Sequence, residues 1–591
     1  MELEKENDIK NVEQSDKLNT LNATTSDEDW QLNDNDSPPL VVQPNPLLPK
    51  PEVPKGMINP PISSSKSAKI TSRIPSFKKF ILDKSQSLSS AITNRFSNEA
   101  DFGKITEIRL SDVKVIVNFD RNEERFRGRV SFYSRSNCRD CTAVRRFLRD
   151  RKLNYVEINV DVFPLREKEL IRRTGTSIVP QVFFNEKLIG GLVVLNSLRN
   201  GGMLEKKMEE ILSAKCPESA PKSAVYGVDD EEDGVDEMVA IVRVLRQKLP
   251  IQDRLTRMKL AKNCFSGADL VEHLDCARKK AVTIGKELAR RHFIHHVFHE
   301  NEFEDGNHFY RFLEHEPFIP KCYNFRGSVN DVEPKDASIL SQTLSKLMTA
   351  ILESYASDDR HHVNYVGISN SEEFRRYLSL VQCFQRVDLS TLSVNEKLAF
   401  FLNLYNAMII HAVIRIGHPG DSMDRRRTFF SDFLYIIGGY PYSLSTVKNG
   451  ILRGNRRAPF SLMKPLSSGD KRLELAFPKV NLLIHFALCH ASKSSPAVKF
   501  FTHQNVESDL RHVAREYFQR EDALQVDLAK RTVYLTRIIK WYSMDFGRDN
   551  DILKWLINYV DSTKAGLLTH LLGDGGSINI VYQNFDWSLN S

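Results

Sequence analysis

"RVSFYSRSNCRDCTAVRRFL", residues 129–148, sets Cys138 and Cys141 two residues apart at the point where an alternating apolar run gives way to a basic helical one. "RVSFYS" has the period of a buried strand. "TAVRRFLRDRKL" puts Val144, Phe147 and Leu148 on one helical face, with Arg145, Arg146 and Arg149 outside. Cys138 therefore falls at a helix N-terminus, where unpaired amide N–H groups and the positive end of the macrodipole favour a thiolate; Arg135 and Arg139 add to this and Asp140 opposes it. The pair reads as a redox couple, as half of a zinc site, or as two small apolar residues in a core. A structural zinc site wants four ligands, usually paired CxxC motifs or a CxxC with spaced histidines. The other cysteines, Cys216, Cys264, Cys276, Cys322, Cys383 and Cys489, are solitary, so no metal is expected. Redox capability is the working expectation, and an inert pair in a fold that has outlived its catalysis is the alternative.

Downstream, "NYVEINVDV" reads as a strand, "PLREKELIRRTG" as a helix, "SIVPQVFF" as a strand, "NEKLIGG" as a turn and "LNSLRNGGMLEKKMEEIL" as a helix, a small βαβ–ββα unit. On the CxxC at its strand-to-helix turn, the "SIVP" stretch and the Gly190–Gly191 pair, residues 127–214 resemble a glutaredoxin of the thioredoxin-like α/β fold. That resemblance implies that Cys138 is the nucleophile, Cys141 the resolving thiol and Pro180 the cis-proline facing them. It further implies glutathione as co-substrate, its carboxylate met by Arg135, its backbone paired by Val179, and its approach permitted by Gly190 and Gly191. One departure stands out: glutaredoxins follow the Gly-Gly pair with a small residue and an Asp that hold the other end of glutathione, and here Leu192 and Val193 follow. Weak glutathione saturation is the expectation.

Residues 1–40 carry eleven acidic and three basic residues with almost no apolar periodicity, and a Pro-rich stretch follows. Residues 1–104 are thus expected to be a disordered tail. Within it, segment 63–96 is basic: Lys66, Lys69, Arg73, Lys78, Lys79, Lys84 and Arg95 surround Ile74, Phe77, Phe80, Ile81 and Leu82, a composition suited to anionic lipid. The plainer reading is a solvated linker rich in phosphorylatable serines. Residues 215–237 read as an acidic linker.

From 238 to 316 the pattern is mostly helical, ending in short strands. "CFSGADLVEHL" and "FEDGNHFYRF" resemble a DEP domain, a winged-helix signalling module. Phe265, Leu270, Val271 and Leu274 are core candidates, and Phe309, Tyr310 and Phe312 belong to its closing hairpin. The resemblance implies docking to a membrane protein or acidic lipid. His292, His295, His296 and His299 have helical ligand spacing, but they sit where the module turns from helix to strand, which would split them between two faces. From 336 to 591, "FLNLYNAMIIHA", "IGG" and "DWSLN" resemble DUF547, a plant and bacterial family of unknown function, expected as a large α+β domain. Its apolar helix carries Asn403, Asn406 and His411, polar groups that need partners. Asn406, His411, His485 and the Cys489–Ser495 segment suggest a buried polar cluster. A Cys or Ser beside a His is raw material for covalent catalysis. Members of that family, however, carry Cys at the position of Ser495 and Cys-Gly at His490–Ala491, so a structural network is expected here. The domain order matches a plant multidomain type.

A chain of 591 residues is too long for one core and should divide into three or four domains. Eight cysteines are few for a secreted disulfide scaffold, "MELEKENDIK" has no apolar leader pattern, and no window approaches 18 uninterrupted apolar residues; an intracellular, cytoplasmic protein, peripheral at a membrane through residues 66–95 and the DEP domain, is expected. A net charge of +7 spread over this length does not indicate nucleic acid. The expected activity is that of a glutaredoxin-like thiol–disulfide oxidoreductase or electron carrier, acting on protein disulfides or glutathionylated proteins and coupled to a DEP signalling module. The rival is a non-catalytic signalling scaffold that uses the thioredoxin-like fold as a binding platform.

Overall fold

The computed structural model describes residues 105–110, 113–118, 127–229, 234–298, 302–459 and 461–591. The expected tail, with its basic segment 63–96, lies outside the described residues. Strands β1 (Ile105–Leu110) and β2 (Val113–Asn118) pair antiparallel, Ile105 opposite Asn118, in a unit of their own; the chain from Arg121 onward forms a second unit.

The second unit begins with a four-stranded sheet in the order β4 (Tyr155–Asn159), β3 (Val130–Ser134), β5 (Gln181–Phe184), β6 (Lys187–Gly190). β3 runs parallel to β4 and antiparallel to β5. The period of β3 sorts its residues onto two faces: Val130 and Phe132 pack with Val144 and Leu148 of α1 (Arg139–Asp150), and Tyr133 packs with Leu170 of α2 (Leu165–Thr174). Two expectations are corrected here. "NEKLIGG" turns only at Asn185–Glu186 and then runs as β6. The last helix breaks at Gly201–Gly202, with Gly202 at φ +66, into α3 (Leu192–Asn200) and α4 (Leu204–Leu212).

The next module contains α5 (Met238–Lys248), β7 (Gln252–Thr256), β8 (Lys259–Ser266), α6 (Gly267–His273), α7 (Arg278–Arg290), β9 (Ile294–His296) and β10 (Phe309–Phe312). The β7–β8 hairpin lies where a helix was expected; its pairing, and not its single-stranded apolar pattern, decides the conformation. Phe265, Leu270, Val271, Tyr310 and Phe312 are buried as expected. The four histidines are only partly brought together: His292, just past α7 at φ +58, has its Nδ1 3.3 Å from His295 Nε2, His296 neighbours His295 on β9, His299 lies outside the described residues, and no group that could hold a metal ion is found among the described residues.

The C-terminal part is built around α8 (Ala337–Tyr355), α9 (Glu372–Cys383) and α10 (Val394–Ile416). α10 starts at a capping box between Ser393 and Glu396 and is buried nearly all round. It is long and apolar enough to cross a membrane, yet most of it is enclosed by the domain. The β11 (Leu434–Ile437)–β12 (Tyr440–Ser443) hairpin leads into a π-helix, Thr446–Leu452. Farther on, α11 (Val506–Gln519) precedes a sheet of β13 (Leu524–Asp527), β14 (Thr532–Leu535) and β15 (Asn579–Tyr582). Within this unit the three regions share cores. Val162 and Phe163 join the cluster of Tyr365 and Phe374, Ile436 joins that of Phe265 and Ile294, and buried Asp236 pairs with buried Arg386 at 2.7 Å.

Candidate active site

Cys138 is the N-cap of α1, half-buried, in extended backbone; its sulfur accepts the Cys141 N–H at 3.4 Å, and its carbonyl accepts from Thr142 N at 3.0 Å and Thr142 Oγ1 at 3.1 Å. The helix end thus offers amide hydrogen to the sulfur, as the sequence led one to expect. Cys141, one turn in, is completely buried. Burial pushes its thiol well above the ordinary value, and the hydrogen bond with Cys138 acts in the same direction. Both cysteines are free thiols. One sulfur is reachable and the other is held neutral behind it.

The remaining residues expected at the site assemble around this pair. The Val179–Pro180 bond is cis, and Val179, Leu192 and Cys138 pack on the same buried cluster as Cys141. Gly190 stands at φ +118, where a side chain would be strained and a Cβ would come within 3.0 Å of Val194. A Cβ on Gly191 would stand 3.1 Å from the Pro180 carbonyl. The two glycines therefore let β6 and the start of α3 close onto the proline loop. Arg135 is differently engaged: it pairs with Asp161 at 3.2 Å and with Glu167, so its guanidinium already meets two carboxylates. Val193 and Val194 are exposed on the first turn of α3, and Ile178 is exposed beside the proline. Much of the rim is apolar.

No local sequence signal announces what stands behind the loop. Asn137, at φ +59 immediately before Cys138, donates its N–H to Glu353 of α8 at 2.9 Å, and Ser136 Oγ donates to the Lys346 carbonyl at 2.9 Å. Arg145, expected on the solvent face, is 2% exposed and bridges Glu157 at 2.8 Å and Glu353 at 3.0 Å. Burial disfavours its charge, but the two carboxylates outweigh that and hold the guanidinium more firmly protonated than usual. Glu353 is pushed up by the same burial, against the pull of Arg145. Arg149 donates to the last carbonyls of α8, at Glu353 and Ser354. The active-site loop is thus carried on a helix more than two hundred residues away.

The expected polar cluster of the C-terminal domain divides into separate parts. Asn403 bridges the backbone of Phe501, and Asn406 holds the carbonyls of Ala487 and Lys499 and the Cys489 N–H. His411 instead contacts Tyr435, which contacts Tyr377. His485 meets Asp545 at 3.0 Å. Cys489 and Ser495 touch at 3.4 Å in full burial, and burial raises the Cys489 thiol.

Three family models match separate stretches of the chain. The glutaredoxin family model matches residues 130–189; the model for the domain found in Dishevelled, Egl-10 and Pleckstrin (DEP) matches residues 248–312; and that for the protein of unknown function DUF547 matches residues 389–518. A glutaredoxin of Pseudomonas aeruginosa is 31% identical over 85 residues, 14% of this chain and 96% of that protein. Glutaredoxin 3 of Escherichia coli is 29% identical over 76 residues, 13% of this chain and 92% of its own length. Among solved structures, a buckwheat glutaredoxin–glutathione complex shares 24% identity and covers 14% of this chain and 79% of that chain, with a TM-score of 0.14.

Proposed function

Because the chain belongs to the glutaredoxin family through residues 130–189, and carries DEP and DUF547 domains behind them, we propose that it is a thiol–disulfide oxidoreductase acting on protein disulfides or glutathionylated proteins. The observation that carries this reading is the asymmetry of the pair: a half-buried Cys138 at a helix N-cap and a fully buried Cys141 bonded to it through its amide. Cys138 attacks one sulfur of the substrate as a thiolate, forming a mixed disulfide and expelling the other sulfur as a thiolate. Cys141 then loses its proton and attacks the Cys138 sulfur, releasing the second substrate thiol and leaving a Cys138–Cys141 disulfide. Two glutathione thiols return that disulfide to dithiol and become glutathione disulfide. The exposed valines at the start of α3 and the engaged Arg135 favour an extended apolar peptide over free glutathione as the preferred partner.

Cys138→Ser should lower reduction of both protein disulfides and glutathione mixed disulfides by at least about a hundredfold, because an alcohol at this helix end does not ionise. Cys141→Ser should spare removal of glutathione, where free glutathione resolves the intermediate, and impair dithiol reduction. Equal background rates for wild type and Cys138→Ser would sink this reading. A non-catalytic binding platform would then take its place, a reading favoured by the engagement of Arg135 and the clasp of the active-site loop on α8.

The DEP region supports a second element, peripheral attachment to acidic lipid from the cytoplasmic side. The β7–β8 turn projects Leu255, Met258 and Leu260, at 76%, 92% and 58% exposure, among Arg254, Arg257, Lys259 and Lys262. Apolar side chains ringed by cations suit an anionic bilayer surface, and the basic segment 66–95 would add a second weak contact. Full-length protein should sediment with phosphatidylserine vesicles at low salt and be released by high salt. Met258→Glu should weaken that binding. Equal binding to neutral vesicles would refute the attachment.

A further inference from the structure

Away from the cysteine pair, a dense group of buried titratable side chains surrounds the π-helix of the C-terminal domain. Such widened turns are rare and often mark functional positions. Lys448, on this turn, is 3% exposed. Its Nζ has His490 Nε2 at 3.3 Å and lies 4.5 Å from the centre of the Tyr542 ring, with no carboxylate within ion-pairing distance among the described residues. The neighbouring acid is already engaged: Asp545 pairs with Arg453 at 2.6 Å, Arg456 at 2.9 Å and His485 at 3.0 Å. An enclosed amine without a counter-ion is costly unless it sheds its proton. Burial, with Arg453 beside it, pulls Lys448 down to about 7 against the opposing pull of Asp545. Burial likewise keeps His490 and His485 neutral.

The ring nitrogens His490 Nδ1 and His485 Nδ1 have no hydrogen-bond partner among the described residues, although both side chains are buried. Orphaned polar atoms in a core call for an explanation, and a ligand is one. Around His490 stand Phe430, Phe585 and Trp587, edge-on at 5.9, 6.2 and 6.1 Å, and all three are half-buried, so an aromatic set runs from this histidine to the surface.

We propose that Lys448 is a nucleophilic amine, positioned by His490, that condenses with the carbonyl group of a compound carrying a flat apolar body. His490 Nε2 accepts one N–H of the neutral amine and leaves the lone pair free. That lone pair forms the new N–C bond while the carbonyl π pair moves to oxygen. The two N–H protons then leave with that oxygen as water, and an imine remains; no electrons are gained or lost. This centre is independent of the cysteine chemistry.

The test uses the full-length chain with benzaldehyde and cyanoborohydride, reading the trapped benzyl group at each lysine by peptide mass spectrometry. Near neutral pH, Lys448 should be labelled at least about tenfold faster than exposed Lys187, Lys259 and Lys346, because a far larger fraction of it is neutral. Its rate should rise between about pH 6 and 8, where the surface lysines climb only at alkaline pH. Lys448→Arg should remove the fast site. His490→Phe should slow Lys448 severalfold and move its pH profile, whereas His490→Gln, which keeps an acceptor, should largely restore it. Labelling of Lys448 at or below the surface rate, or a rate flat across that pH range, overturns the proposal.

Discussion

The two nucleophiles proposed for this chain are prepared by opposite means. Cys138 must become an anion, and the fold leaves it half-open at the end of α1, where amide hydrogens face the sulfur. Lys448 must become neutral, and the fold encloses it on a π-helix beside Arg453, where a proton is hard to keep. A backbone end stabilises negative charge without burying it, whereas loss of water penalises either sign. The open site is therefore robust to its surroundings but depends on how its loop is held. The closed site depends on the integrity of the whole domain.

The strongest way to break this contrast is to remove the support of the open site. Among the described residues Arg145 is the only cation bridging Glu157 and Glu353, and both carboxylates are largely enclosed. Arg145→Ala leaves two enclosed acids without their shared cation and weakens the hold of the α1 face on α8, where Arg149 and the Asn137 N–H remain. The expected loss is about 3–5 kcal/mol of stability, softened to the extent that Glu353, already pushed up, takes a proton. Glu353→Gln, which retains an acceptor for the Asn137 N–H, should cost much less. Denaturant unfolding of both variants reads this directly, and an Arg145→Ala midpoint equal to wild type would mean that the clasp carries no load.

Acid sharpens the contrast from the other side. His292, His411 and His485 are each held down to about 3 by burial, and His490 well below its ordinary value. Their folded values lie below the unfolded one near 6.5. The unfolded chain therefore binds more protons, and the stability they confer is complete above about pH 6.5 and is lost as pH falls toward 3. Each contributes a slope of about 1.4 kcal/mol per pH unit within that window. Cys141, raised by burial, titrates on the alkaline side and adds nothing there. Unfolding free energies should therefore fall steeply between about pH 6.5 and 4.5, and His411→Gln should reduce the slope by about one proton. A flat profile would show that these histidines are protonated in the folded state.

These differences also account for what was legible in the sequence. Cys138, Cys141, Pro180 and the Gly190–Gly191 pair sit in short stretches that stand out locally, and the structure places them near one another, although Gly190 ends a strand where a turn was expected. Asn403 and Asn406 were recognisable as polar groups in an apolar helix that had to find partners, and both did. Glu353 was invisible because its role exists only once α8 meets a loop 216 residues away. Arg145 was misplaced because a helical wheel puts any arginine outside unless a carboxylate is known to wait inside. Lys448 and His490 lie 42 residues apart with unremarkable neighbours, and nothing local announces a widened helical turn. The β7–β8 hairpin was missed because apolar spacing along one strand does not reveal its partner.

The smallest expected effect concerns the rim of the open site. Val193 is 78% exposed at the second position of α3, immediately after the glycines that close onto Pro180. An aspartate there would face the positive end of the α3 dipole, an interaction worth about 0.3–1 kcal/mol, and would stand where glutaredoxins use a carboxylate to hold the far end of glutathione. Leu192 is unsuited to the same change because it packs on the cluster that supports Cys138 and Cys141. Val193→Asp should lower KM for glutathione by about two- to fivefold, what an exposed ion pair of roughly 0.4–1 kcal/mol between the new carboxylate and the glutathione amino group supplies, without altering kcat. Turnover should stay the same because Cys138 and its amide contacts are untouched. Steady-state kinetics against glutathione concentration separate the two parameters. An unchanged or higher KM would mean that Val193 is not what limits glutathione here, and would move attention to Arg135, whose guanidinium is already shared between Asp161 and Glu167. A fall in kcat would instead show that the start of α3 is coupled to the thiol itself, and the open site would prove less independent of its rim than its geometry implies.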